Sequence, residues 1–204
     1  MSLGWGLTLR HLCRLVLLLA FLPLAAFAAP VPPVGPGDMV LGPAAAPVTI
    51  VEYGSLTCPH CAAFDQEIFP EIKRQWIDTG KIRFVFRDMP RDQLDLKAFQ
   101  LAHCSGDPRF WGFLDALFRN QRSWMSAADP TAQLVQIGRL GGLSEAAAHA
   151  CLSNDALARA SVASAKGGHD AGVTSTPSFF ANGEAITPFS LDDWAKALTE
   201  AGAK

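Results

Sequence analysis

Two cysteines separated by two residues, Cys58-Pro59-His60-Cys61, follow an apolar β-branched run. They lie far ahead of the segment Ser175-Thr176-Pro177-Ser178-Phe179-Phe180. This spacing restricts the fold, because two sulfurs two residues apart meet only across the first turn of a helix. The ring they close accepts a dithiol's electrons and returns them. Cys58 then stands at the helix N-terminus, where unpaired N–H groups and the helix dipole favour a thiolate. Pro59 takes the first helical position, where a missing N–H is harmless. His60 adds a positive charge or a hydrogen bond beside the Cys58 sulfur. All three effects stabilise the thiolate, and with it the reduced pair, which makes the disulfide a good oxidant.

Two plainer readings use the same spacing. Zinc sites also employ C-x-x-C, but they need a second ligand pair. Cys104 and Cys151 are not spaced as a knuckle, and none of the five histidines forms an H-x3–5-H pair. A purely stabilising disulfide is the other reading. A two-residue gap closes almost no chain entropy, so such a bridge adds little stability. Neither a metal nor a cofactor is expected.

Residues 1–28 read as a secretory signal peptide. Arg10 and Arg14 supply the positive region, Leu15 to Leu22 the apolar one, and Ala26-Phe27-Ala28 an A-x-A cleavage site. The apolar run is short for a membrane-spanning helix; an uncleaved anchor is the alternative. Cleavage removes Cys13 and leaves four cysteines, an even number suited to an oxidising compartment. It leaves 15 basic against 19 acidic residues, a formal charge of −4 in place of −2. That mild acidity argues against a nucleic-acid partner. Residues 29–47, rich in Pro, Gly and Ala, read as an extended leader without a folded element. The remaining roughly 160 residues suit one domain with an adequate core.

Val48 to Tyr53 reads as a buried strand. Ser55 or Thr57 is placed to cap the helix that starts near Cys58, with Phe64, Ile68, Ile72 and Trp76 on one face and a kink at Pro70. Lys81 to Arg87 is a second strand. Helical stretches follow: Asp92 to Cys104, two begun by Asp107-Pro108 and Asp129-Pro130, one capped by Ser144, and an Ala-rich one from Asp155 to about His169. Ser178 to Ala181 and Glu184 to Ile186 form a hairpin about Asn182-Gly183. Ser190 with Asp193 opens the last helix as a capping box. The order is strand, helix, strand, a helical block, hairpin, helix: an α/β pattern. It puts the cysteines at the C-terminal end of a central strand, where sites collect in α/β sheets.

The Cys58-Pro59-His60-Cys61 motif, Gly172-Val173 leading to Thr176-Pro177, and the helical block together resemble the DsbA-like proteins, periplasmic dithiol oxidases of the thioredoxin superfamily. The resemblance covers about residues 40–202. It implies a thioredoxin fold with an inserted helical domain. Residues 48–91 and 169–204 would make the thioredoxin-like part and 92–168 the insertion. Cys58 matches the exposed nucleophile and Cys61 the buried resolving cysteine. Pro177 matches the proline whose preceding peptide bond is cis, and the Thr176 backbone would hold an extended substrate chain by strand addition. Glu52, six residues before Cys58, matches a buried acid that exchanges the Cys61 proton; a solvated strand edge is the plain alternative.

Thr176 departs from the pattern, since the best-known oxidases carry Val there and Thr resembles isomerases of the same fold. Cys104 and Cys151 fall on predicted helices of the insertion. A bridge between them would close about 46 residues and contribute about 4 kcal/mol in the chain-entropy model; two free thiols are the alternative. The function implied is a periplasmic, monomeric thiol:disulfide oxidoreductase. Its partners would be reduced secreted proteins and a quinone-linked membrane oxidase that restores the disulfide. Disulfide isomerisation, or a peptide-binding module with structural cysteines, are the alternatives.

Overall fold

The computed structural model describes residues 29–204, so the signal-peptide reading of residues 1–28 lies outside the described residues. Strands β1 (Met39–Leu41), β2 (Val48–Gly54), β3 (Ile82–Asp88), β4 (Ser178–Ala181) and β5 (Glu184–Ile186) form one sheet in the order β1-β3-β2-β4-β5. β2 and β3 run parallel, with Glu52 opposite Phe86, and the other pairs are antiparallel. A central parallel pair is covered on both faces, which is why β2 and β3 are buried almost throughout. Side chains alternate across the pleat. Ile50 and Phe84 join Phe64, Ile72 and Trp194 in one core, while Val51, Tyr53 and Val85 join Met89, Val173 and Phe180 in another.

β1 corrects the reading of residues 29–47 as a leader without a folded element. Arg87 is the reason the segment is ordered. It donates to Asp38 through Nε and Nη2 at 2.9 Å each, to the carbonyls of Pro32 and Pro33, and to the Tyr53 hydroxyl. One guanidinium thus ties the proline-rich segment to the central sheet, so the thioredoxin-like part begins before residue 48.

The first helix, α1 (residues 59–77), alternates α-helical turns with two π-helical ones, Phe64–Ile68 and Lys73–Ile77. Each π turn holds an extra residue and shifts the periodic face. Ile77 is therefore fully in the core, while Trp76 is half-buried, packing on the same core with the Lys81 ammonium over its ring.

Helices α2 (Gln93–Cys104), α3 (Asp107–Arg119), α4 (Gln121–Met125), α5 (Pro130–Leu140), α6 (Glu145–Leu152) and α7 (Asp155–Asp170) are inserted between β3 and β4, and α8 (Leu191–Glu200) ends the chain. Asp129 and Ser144 cap their helices as the sequence indicates, Ser190 with Asp193 forms the capping box, and Asp92 caps α2. The N-cap position of α3 is Gly106 at φ 80°, one residue ahead of the expected Asp107. A break at Asn120 separates α3 from α4, where one helix was expected.

α7 packs on both α2 and β3, so it covers a sheet face as well as the helical block. The insertion's core of Phe99, Phe110, Phe113, Phe118 and Trp124 reaches Leu56, Cys58 and Cys61. The Cys104–Cys151 disulfide is formed and joins the end of α2 to α6.

Candidate active site

β2 ends at Gly54, where a Cβ would come within 2.6 Å of the Phe86 ring and 3.0 Å of Glu52 Oε1. Only glycine lets the chain leave the sheet there. The next four residues make a turn, with the Cys58 N–H donating to the Ser55 carbonyl at 3.2 Å. Cys58, not Ser55 or Thr57, is the N-cap of α1, and Pro59 holds the first position. The Ser55 and Thr57 side chains turn inward instead. Both donate to Asp95, at 2.6 and 3.2 Å.

The two sulfurs are unbonded to each other and differ in environment. Cys58 lies where the start of α1 meets the Thr176–Pro177 loop. Its thiol donates to the Thr176 carbonyl at 3.2 Å, and the Thr176–Pro177 peptide bond is cis. A hydrogen bond from the Cys61 thiol lowers the Cys58 pKa to about 5, helped by the Thr176 hydroxyl and the N–H groups of Cys61 and His60. Burial works against this shift and is outweighed. The His60 contribution comes from its backbone; the imidazole is exposed. Cys61 is fully buried, and its pKa is pushed far up, first by burial and then by its role as donor to Cys58 and by the Glu52 charge. The Ser55 N–H, 3.4 Å from Cys61 Sγ, acts in the opposite sense. Cys58 is itself only 4% exposed, so the exposed nucleophile that the resemblance implies is largely covered here by the packing of the insertion. One sulfur carries a stabilised thiolate and the other a retained proton.

Glu52 is 3% exposed on the central strand, not at a solvated edge. Burial first, then the charges of Asp65 and Cys58, hold its pKa well above the usual carboxylate range. Beside it Asp65 is raised to about 7, mainly by burial. Oxygens of both, Glu52 Oε1 and Asp65 Oδ2, are buried without a hydrogen-bond partner and border one small void among Phe69, Phe84 and Trp111. In front of the site a groove of about 660 Å³ runs past His60, Phe64, Ile68, Thr176, Pro177 and the exposed Phe189. Among the described residues no His, Cys, Asp and Glu cluster is arranged to hold a metal ion, and no helix is long and apolar enough to cross a membrane.

The structure thus brings Glu52, Cys58, Pro59, Cys61, Thr176 and Pro177 to one place, with the His60 backbone on the sulfur and its ring outside. Cys104 and Cys151 belong to the insertion. Sequence reasoning missed Asp65, Asp95 and Gln121. Asp95 carries a slight signal, an acid flanked by Leu94 and Leu96 in the first turn of its helix. Gln121 carries none, because its two partners, the carbonyls of Leu56 and Cys58, lie more than sixty residues away.

The model of a family described as thioredoxin matches residues 35–200. A Rickettsia prowazekii protein named as a protein-disulfide oxidoreductase is 39% identical over 169 residues, covering 80% of this chain and 61% of the relative. This chain therefore spans about three fifths of that relative's length. Disulfide bond formation protein D of Bacillus subtilis is 35% identical over 116 residues, 53% of this chain and 48% of the relative. Among solved structures, alpha-DsbA1 of Wolbachia pipientis superposes with a TM-score of 0.75 at 30% identity, covering 83% of this chain and 92% of that one.

Proposed function

This chain belongs to the thioredoxin family, with a DsbA-type helical insertion, and on that premise we propose that it is a thiol:disulfide oxidoreductase that introduces disulfides into reduced secreted or periplasmic proteins. The observation that carries the reading is the split between the two sulfurs, a Cys58 pKa near 5 above a Cys61 pKa pushed far up. A substrate thiolate attacks Cys58 of the Cys58–Cys61 disulfide. One S–S bond forms to the substrate, and the bond to Cys61 breaks. Cys61 leaves with the electron pair and takes up a proton, for which we assign Glu52, a buried carboxyl held protonated and acting electrostatically on Cys61, as the donor. A second substrate thiolate then attacks the substrate sulfur, and Cys58 leaves as the stabilised thiolate. Two electrons have passed from the substrate dithiol to the cysteine pair. A quinone-linked membrane oxidase is the reoxidant this reading calls for.

The groove past Pro177 supports the substrate reading. An extended chain lying there would pair with the Thr176 backbone, as in strand addition, while Phe64, Ile68 and Phe189 receive apolar side chains. The test is oxidation of a reduced dithiol peptide by the oxidised protein, with Cys58→Ser as the blank. Catalysis lost in the variant is the expected result. A variant that still accelerates the reaction, or that binds peptide as the sole activity of both proteins, would leave only a binding module. Oxidase and isomerase are separated by a scrambled substrate under redox buffer; net oxidation should exceed reshuffling.

His60 is expected to act on Cys58 mostly through its N–H. In His60→Ala, which keeps that N–H, the thiolate absorbance of Cys58 should therefore titrate as in wild type. A midpoint raised by about one pH unit would give the imidazole a part in stabilising the thiolate.

A further inference from the structure

Asp95 has no exposed surface, and four neutral donors converge on its carboxylate. Ser55 Oγ donates at 2.6 Å, the Leu56 N–H at 2.9 Å, Thr57 Oγ1 at 3.2 Å and the Arg91 N–H at 2.9 Å. Burial raises its pKa to about 6, and these hydrogen bonds restrain the rise. A buried acid is costly unless its hydrogen bonds have a use. Capping α2 is not that use, since Asp92 already accepts from the Asp95 N–H at 2.8 Å. Three of the four donors belong to the turn that delivers Cys58.

The acceptor groups of the same turn are held from a second element. Gln121 Nε2, on α4, donates to the Leu56 carbonyl at 2.8 Å and to the Cys58 carbonyl at 2.9 Å. The turn is therefore gripped by its donors from α2 and by its carbonyls from α4, both parts of the insertion. Its remaining inward donor, the Ser55 N–H, is aimed at Cys61 Sγ.

We propose that Asp95 is the positioning residue of the redox turn: by holding Ser55, Leu56 and Thr57 from the helical insertion, it sets the Cys58 sulfur against the start of α1 and the Ser55 N–H against the Cys61 sulfur. The insertion then fixes which cysteine is the thiolate, in addition to covering the sheet. This rests on the reading of Cys58 as the attacking thiolate, but it is read on the sulfur itself and not on turnover.

The test is the thiolate absorbance of Cys58 against pH in the reduced protein, with Cys104–Cys151 intact. Asp95→Asn keeps the volume and turns an amide against the turn's donors. Its Cys58 midpoint should rise by at least about one pH unit, with the glutathione equilibrium moving roughly tenfold toward the protein disulfide. Asp92→Ala, which removes the α2 cap without touching the turn, should lower the thermal midpoint and leave the titration as in wild type. A purely structural Asp95 would lower stability in both variants and move the titration in neither. An unchanged Cys58 midpoint in folded Asp95→Asn overturns the proposal, and so does a fall, which would mean direct action of the charge. An equal shift in Asp92→Ala overturns it as well. If Asp95→Asn does not fold, Ser55→Ala removes the 2.6 Å donor while keeping the carboxylate. It should shift the midpoint upward by less, and an unshifted curve there is also fatal to the idea. Loss of the oxidase reading would show as absent peptide oxidation in the wild type, with this titration still measurable.

Discussion

Reducing the Cys58–Cys61 disulfide should raise the thermal midpoint of the protein, the opposite of what a structural disulfide does. In the folded dithiol the Cys58 pKa is about 5 against an ordinary value of 9.0, because the Cys61 thiol, the Thr176 hydroxyl and two backbone N–H groups stabilise the thiolate. A depressed pKa contributes stability that is complete above the unfolded value and lost as pH falls through the folded one. The gain is thus full above about pH 9, partial at pH 7 and gone near pH 5. At pH 7 it amounts to about 1–2 kcal/mol after allowing for solvent screening at a site near the surface. For a chain of this size that is roughly 2–8 °C. The disulfide form gains little in exchange, since its ring spans two residues. Calorimetry of both redox forms at pH 5 and pH 8, with Cys104–Cys151 left oxidised, checks this. A midpoint higher in the disulfide form at pH 8 would make the bond structural and remove the basis of the oxidase reading.

Glu52→Gln should yield a more stable and slower protein. The unfolded chain ionises Glu52 near pH 4.5, whereas burial in the folded one keeps the carboxyl protonated well above that. For such a raised pKa, the wild type has its full stability below about pH 4.5 and loses it as pH rises toward the folded value. The amide has no such loss. The variant should therefore gain up to about 3 kcal/mol at pH 7, or about 5–10 °C, and almost nothing at pH 4.5. Because the amide cannot pass a proton to Cys61, dithiol oxidation should slow by about tenfold to a hundredfold at pH 7. Stopped-flow oxidation of a dithiol peptide, alongside melting curves across this pH range, reads both effects. A variant as fast as wild type would leave Glu52 a buried acid without a part in the exchange.

The chain's local signals fared differently from its distant ones. The apolar β-branched run Val48 to Tyr53 and the Asn182-Gly183 turn were legible because each depends on neighbours a few residues away. The caps at Asp129 and Ser144 follow the same rule. Asp107 misled for a local reason as well: Gly106, with a left-handed backbone open to glycine, took the capping place one residue earlier. On α1 Trp76 does reach the core but Ile77 was missed, because π turns add a residue that no 3.6-residue pattern encodes. β1 was missed because three residues in a proline-rich segment carry too little pattern. The strand exists through pairing with β3 and through Arg87, nearly fifty residues downstream of Asp38.

For the candidate site, the sequence alone determined the chemistry on offer: two cysteines across the first turn of a helix, a proline where its missing N–H does no harm, and an acid in a buried strand. These follow from residue type and spacing, which act over one or two turns. The division of labour between the sulfurs was decided by tertiary structure. Cys58 meets Thr176 from 118 residues away, and Cys61 is buried within reach of the Glu52 charge. The turn between strand and helix is held by Asp95 and Gln121 of the insertion. Electrostatic shifts of this size depend on burial and on distances of a few ångströms, and those are properties of the packed chain.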